Sequence, residues 1–116
     1  MPLVEARKIY AQTSGESRLD QQIRVLLTQR LRATNRFTVT DTKNANAALM
    51  ISVWEMGPNG TTRRVRMTLQ LIDTGARVIW PLAGTHRDYS GLPEAITTKA
   101  IDDLMADINR LDSSRK

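Results

Sequence analysis

The chain has 116 residues, 41% of them hydrophobic and 25% charged, with a formal net charge of +5. That length suits one domain spanning 1–116, with an ordered core expected at about residues 5–111, and aromatics at 4% leave the core to Leu, Ile, Val, Met and Ala. No cysteine is present, which excludes disulfides and thiolate metal sites, and no window approaches the ~18 apolar residues of a membrane-crossing helix.

The opening Met1-Pro2-Leu3-Val4 carries no signal-peptide pattern and leads almost directly into patterned sequence. Glu5 to Gln12 sets Ala6, Ile9 and Ala11 among charges and predicts a first strand. After the loop Thr13-Ser14-Gly15-Glu16, Ser17 with Asp20 three residues on has the form of a capping box. The helix that follows puts Leu19, Ile23, Leu26, Leu27 and Leu31 on one stripe, with arginines and glutamines on the other face. Asn35 suits a left-handed cap, and Phe37-Thr38-Val39-Thr40 reads as a short second strand.

Asp41 to Asn46 is polar, with room for one helical turn. Ala48 to Trp54 is a third strand, with Leu49, Ile51 and Val53 on one face and Met50, Ser52 and Trp54 on the other. Gly57-Pro58-Asn59-Gly60 is a turn that makes the next strand an antiparallel neighbour. Asn59-Gly60-Thr61 matches a glycosylation triplet, but so short a match is expected by chance and the hairpin turn explains it.

From Thr61 to Tyr89 the chain predicts two long strands folded back on each other. Arg64 to Leu71 alternates strictly between polar and apolar residues. Asp73-Thr74-Gly75-Ala76 supplies the turn, with Gly75 free to take positive φ, and Arg77-Val78-Ile79-Trp80 returns. Pro81 marks an edge or the end of regular pairing, and Trp80 follows Val78 into the core. Pro93 opens a last helix that buries Ile96, Ala100, Ile101, Leu104, Ile108 and Leu111 and turns Asp102, Asp103, Asp107 and Asn109 outward. The Ser113-Ser114-Arg115-Lys116 tail is expected to fray. The order β-α-β-β-β-β-α predicts an α+β two-layer sandwich: a mostly antiparallel sheet with two helices on one face, its first strand–helix–strand unit parallel.

Chemistry is sparse. His86 and Asp88 share a strand face and have the parts of a general base, but nothing else in the sequence signals a pocket, so His86 reads as a structural or surface residue. One histidine without cysteine does not anchor a zinc or iron site. Asp103 and Asp107, four apart, read as a solvated acidic face. No phosphate loop or nucleophile elbow occurs. No catalytic, cofactor-binding or metal site is therefore expected, and the chain is read as not an enzyme.

Charge is better distributed than it is concentrated. Residues 1–36 hold seven Lys/Arg against three Asp/Glu, and residues 61–90 hold five against two. Arg64 and Arg66 share the polar face of their strand with Thr68 and Gln70, Arg77 and Arg87 are expected to extend the cluster, and Trp54 is the nearby ring. These five residues form the candidate interaction surface. A basic sheet face also suits single-stranded nucleic acid, which gives the alternative reading of a nucleic-acid-binding module on the first helix and hairpin. Such modules add exposed aromatics between the cations, and here none lies there, so nucleic acid is not the expected partner.

Several phrases carry a family resemblance: Leu26-Leu27-Thr28-Gln29-Arg30-Leu31 leading to Asn35-Arg36-Phe37-Thr38-Val39, the small-residue run Asn44-Ala45-Asn46-Ala47-Ala48-Leu49, and Leu69 to Trp80 with its Asp-turn-strand-Trp layout. In these the chain resembles a group of bacterial envelope domains related to the curli-secretion channel lipoprotein. The group includes the penicillin-binding-protein activator lipoproteins and, more loosely, the amino-terminal domain of the Tol-Pal translocation protein. A lipopolysaccharide-assembly lipoprotein is a second relative in pattern. The turn here, Asp73-Thr74-Gly75, is one residue tighter than the family's habit. The resemblance implies a periplasmic or envelope location, with the cytoplasm left open, no shared catalytic residues or cofactor, and a role in binding an envelope protein or in self-assembly. Such lipoproteins are held by an acylated amino-terminal cysteine, so contact with a membrane would need a tether that this chain does not contain.

Overall fold

The computed structural model describes residues 1–56 and 63–114. Its elements are β1 (Lys8–Thr13), α1 (Arg18–Ala33), β2 (Thr38–Val39), β3 (Ala47–Glu55), β4 (Val65–Asp73), β5 (Val78–Trp80), β6 (Arg87–Gly91) and α2 (Pro93–Ser114). One sheet holds the six strands in the order β2-β1-β3-β4-β5, with β6 also paired to β4. The β1–β2 and β1–β3 pairs are parallel and the pairs made by β4 are antiparallel, so the sheet is mixed.

Both helices cover the same face. Period-two alternation turns Ile9 and Ala11 of β1, Leu49 and Ile51 of β3, and Val65, Met67, Leu69 and Leu71 of β4 into one core. Ile23, Leu27 and Leu31 of α1 meet them there with Ile96, Ala100, Ile101, Leu104 and Ile108 of α2. Trp80 is fully buried among them, as expected of a core residue. The capping box forms: Asp20 N–H donates to Ser17 Oγ at 3.1 Å, and Ser17 N–H to Asp20 Oδ2 at 3.0 Å. Asn35 takes its left-handed turn at φ 59°.

Four features differ from the sequence reading. Leu3–Glu5 is a turn of 3-10 helix, so β1 starts later than expected. Asp41 to Asn46 makes turns rather than a helix, its Asp41 carboxylate accepting from the Lys43 and Asn44 backbone. Ala76, not Gly75, holds positive φ, at 62°, because the Asp73 carboxylate already accepts from the Gly75 and Arg77 N–H groups and fixes the turn around itself. The return strand is broken in two. Pairing ends at Trp80, the chain leaves through Pro81 to His86, and β6 re-enters beside the other half of β4. The Gly57–Gly60 turn and the Asn59-Gly60-Thr61 triplet lie outside the described residues.

Candidate interaction surface

The face of the sheet opposite the helices stays open. In the β3–β4 ladder Trp54 stands directly across from Arg66, whose guanidinium carbon lies 6.0 Å from the indole centroid. Trp54 remains 52% exposed, so the stacked arginine covers only part of the ring. β6 adds Asp88 across from Thr68, and Asp88 gathers the face's polar groups. Thr68 Oγ1 donates to it at 2.7 Å, Arg66 at 3.3 Å, and His86 Nε2 sits 3.8 Å away. The Thr68 hydroxyl, and then the Arg66 guanidinium, hold the Asp88 carboxyl below its ordinary range. Further along, Gln70 Nε2 donates to the Thr85 carbonyl at 2.7 Å. A shallow depression of about 230 Å³ runs between Met50, Ser52, Thr68, Gln70 and His86.

The five predicted surface residues therefore part company. Trp54 and Arg66 meet. Arg64 is exposed just before β4, where its carbonyl accepts from Met56 N–H at 3.0 Å. Arg77 lies in the turn at the far end of β4, seven residues and roughly 23 Å from the level of Arg66. Arg87 is on the wrong side for the cluster. Alternation along β6 sends Arg87 and Tyr89 toward α2 and leaves Asp88 and Ser90 on the open face. Arg87 pairs with Asp103 at 3.1 Å and lies 5.8 Å from the ring centres of both Trp80 and Tyr89. With Asp88 among them, the open-face cations do not form an unbroken basic strip.

The structure also changes the reading of Asp103 and Asp107. They are not a solvated acidic face but a partly buried seam between α2 and the sheet. Asp107 Oδ2 accepts from the buried Trp80 indole N–H at 3.0 Å and Asp103 Oδ2 from the Tyr89 hydroxyl at 2.9 Å. Burial first, and the Asp103 carboxylate second, push the Tyr89 hydroxyl well above its ordinary pKa. Lys99 and Arg110 complete the neutralisation. The available signal was position: each acid precedes an inward residue, Leu104 or Ile108, at the border of the apolar stripe. Spacing gave no hint of the donors, which come from strands far away in sequence. Among the described residues no group of three or more His, Cys, Asp or Glu is placed to hold a metal ion, and no helix is long and apolar enough to cross a membrane.

No family model matches the chain. A search of curated proteins likewise gave no match. Solved structures do match. A PelC variant dodecamer from Paraburkholderia phytofirmans superposes with a TM-score of 0.61 at 17% identity, covering 87% of each chain. Protein XCC0632 from Xanthomonas campestris gives 0.63 at 11% identity, over 97% of this chain and 91% of that one. A protein described as a lipoprotein candidate from Caulobacter crescentus CB15 gives 0.51 at 15% identity, over 93% and 92%. At such identities these likenesses establish a shared fold. The resemblance to bacterial envelope lipoprotein domains read from the sequence holds at that level.

Proposed function

We propose that this chain is a non-enzymatic protein-interaction or assembly domain of the bacterial cell envelope, working in the periplasm or at the membrane that bounds it. The observation that carries the reading is the one-sided sheet. Helices occupy one face, and the other presents a half-exposed tryptophan beside an arginine, the two residue types enriched where protein interfaces form. The fold it shares with a PelC dodecamer and with a lipoprotein candidate supports both the envelope setting and self-assembly. On the open sheet face the nucleic-acid alternative is disfavoured, because Asp88 pairs with Arg66 and interrupts the cations there.

The test is size-exclusion chromatography with light scattering, run beside capture from a bacterial envelope extract. An assembled mass, or a specific envelope protein retained, is expected, and either should be lost on Trp54→Ala with Arg66→Glu. A strict monomer that retains nothing from the extract contradicts the proposal.

A further inference from the structure

A second surface lies on the helix-bearing side, at the opposite edge of the sheet. β2 is only two residues long, and its parallel ladder with β1 stops at Ile9↔Val39, the last bond running from Thr40 N–H to the Ile9 carbonyl at 2.9 Å. Peptide groups in a parallel ladder face alternate sides, so the next residue of β1 aimed that way is Ala11. No strand lies beside Ala11 on that side among the described residues, and its other neighbour, Leu49, belongs to β3. Where β2 should continue there is instead a groove of about 350 Å³, with Tyr10 and Ala11 of β1 in its lining, α1 along one side and Val39 and Thr40 at its end.

The helix side of that groove is cationic. Arg24, Val25 and Arg32 line it, Val25 is 51% exposed, and no acidic residue lines it. Neither Arg24 nor Arg32 has an ion-pair partner among the described residues, a state they share with Arg7, Arg18, Arg30, Arg64 and Arg77, so what sets them apart is that both line one groove without an acid. Eight residues of helix separate the two free arginines by about 12 Å. Two acidic side chains at positions i and i+4 of an extended strand stand about 13 Å apart on one face. An unpaired strand edge, an exposed valine and two free cations at that spacing suit an extended acidic chain and not a flat membrane surface.

We propose that this groove takes an extended acidic segment of a partner protein, which adds as a strand beside β1 where β2 stops. A second copy of this chain is a poorer occupant, because the strand edges it could bring carry no acidic run: its own β1 edge lies beside Arg24 and Arg32, and its β5 edge beside Arg77. The proposal rests on the protein-interaction reading but uses a different surface, so each can fail alone.

The probe is a short fluorescein-labelled peptide of alternating Glu and Val, followed by anisotropy and by amide hydrogen exchange. Binding that weakens with salt is expected, together with new protection of the Ala11 amide. Arg24→Glu with Arg32→Glu should weaken it roughly tenfold. Methylating alternate peptide nitrogens, which removes ladder donors without touching the protein, should do likewise. The proposal is overturned if the acidic peptide fails to bind or if a Lys-Val counterpart binds equally well. Unchanged binding to the charge-reversed variant also overturns it, as does a variant whose only loss is of phosphatidylglycerol vesicles or of self-association. Trp54→Ala separates the two surfaces: retained peptide binding supports the groove, and lost binding moves the peptide to the open sheet face and overturns it.

Discussion

Ala76 holds a left-handed backbone at φ 62° in the β4–β5 turn, a conformation that costs a residue with a Cβ about 1–2 kcal/mol. Glycine would remove that cost while adding about 0.4–1 kcal/mol of unfolded-state freedom. Ala76→Gly is therefore predicted to stabilise the protein by about 0.5–1 kcal/mol, read from the shift in urea midpoint. Asp88 is the other informative residue. Its carboxyl is held low in the folded state by Thr68 and then Arg66, so its contribution is present above the ordinary carboxylate pKa of about 3.9 and fades as pH falls through the lower folded value. Thr68→Val removes the largest cause. The variant should then lose less stability than wild type between neutral pH and the acid limb, a comparison that urea midpoints across pH would check.

At the scale of elements, the parts legible in the sequence were those governed by local periodicity. Ile23, Leu27 and Leu31 named the buried side of α1, and Val65 to Leu71 named that of β4, because helix and strand period decide those faces without help from distant residues. The break between β5 and β6 was not legible. Pro81 announces an interruption but not where pairing resumes, and the register that β6 adopts afterwards decides that Arg87 faces α2 while Asp88 faces solvent. The donors that engage Asp103 and Asp107 were hidden for the same reason. Entry into α1 was local, and was read correctly from Ser17 and Asp20. The same carboxylate explains Gly15, where a Cβ would come within 2.6 Å of Asp20 Oδ2. Asp20→Ala should cost about 1–2 kcal/mol by freeing the α1 terminus, with thermal unfolding as the readout.

For the whole molecule, covering one face of a mixed sheet has two consequences. The core is complete without the open face, so residues such as Trp54 are free to serve contacts without being needed for folding. The sheet also ends in two unlike edges: the split β5/β6 side, whose Trp80 and Tyr89 side chains are tied to Asp107 and Asp103 of α2, and the β2 side, where among the described residues no strand continues beside β1. The candidate surface was thus half legible in sequence. Alternation found Trp54 and Arg66, while the intrusion of Asp88 and the removal of Arg87 needed the three-dimensional register. The most direct measurement uses the two tryptophans as they stand, one buried and one half exposed. Acrylamide quenching, followed beside light scattering as the protein is concentrated or given its captured partner, should show the accessible fraction that belongs to Trp54 vanish as the complex forms. A complex that forms while Trp54 stays equally quenchable, or no complex at all, would contradict the account.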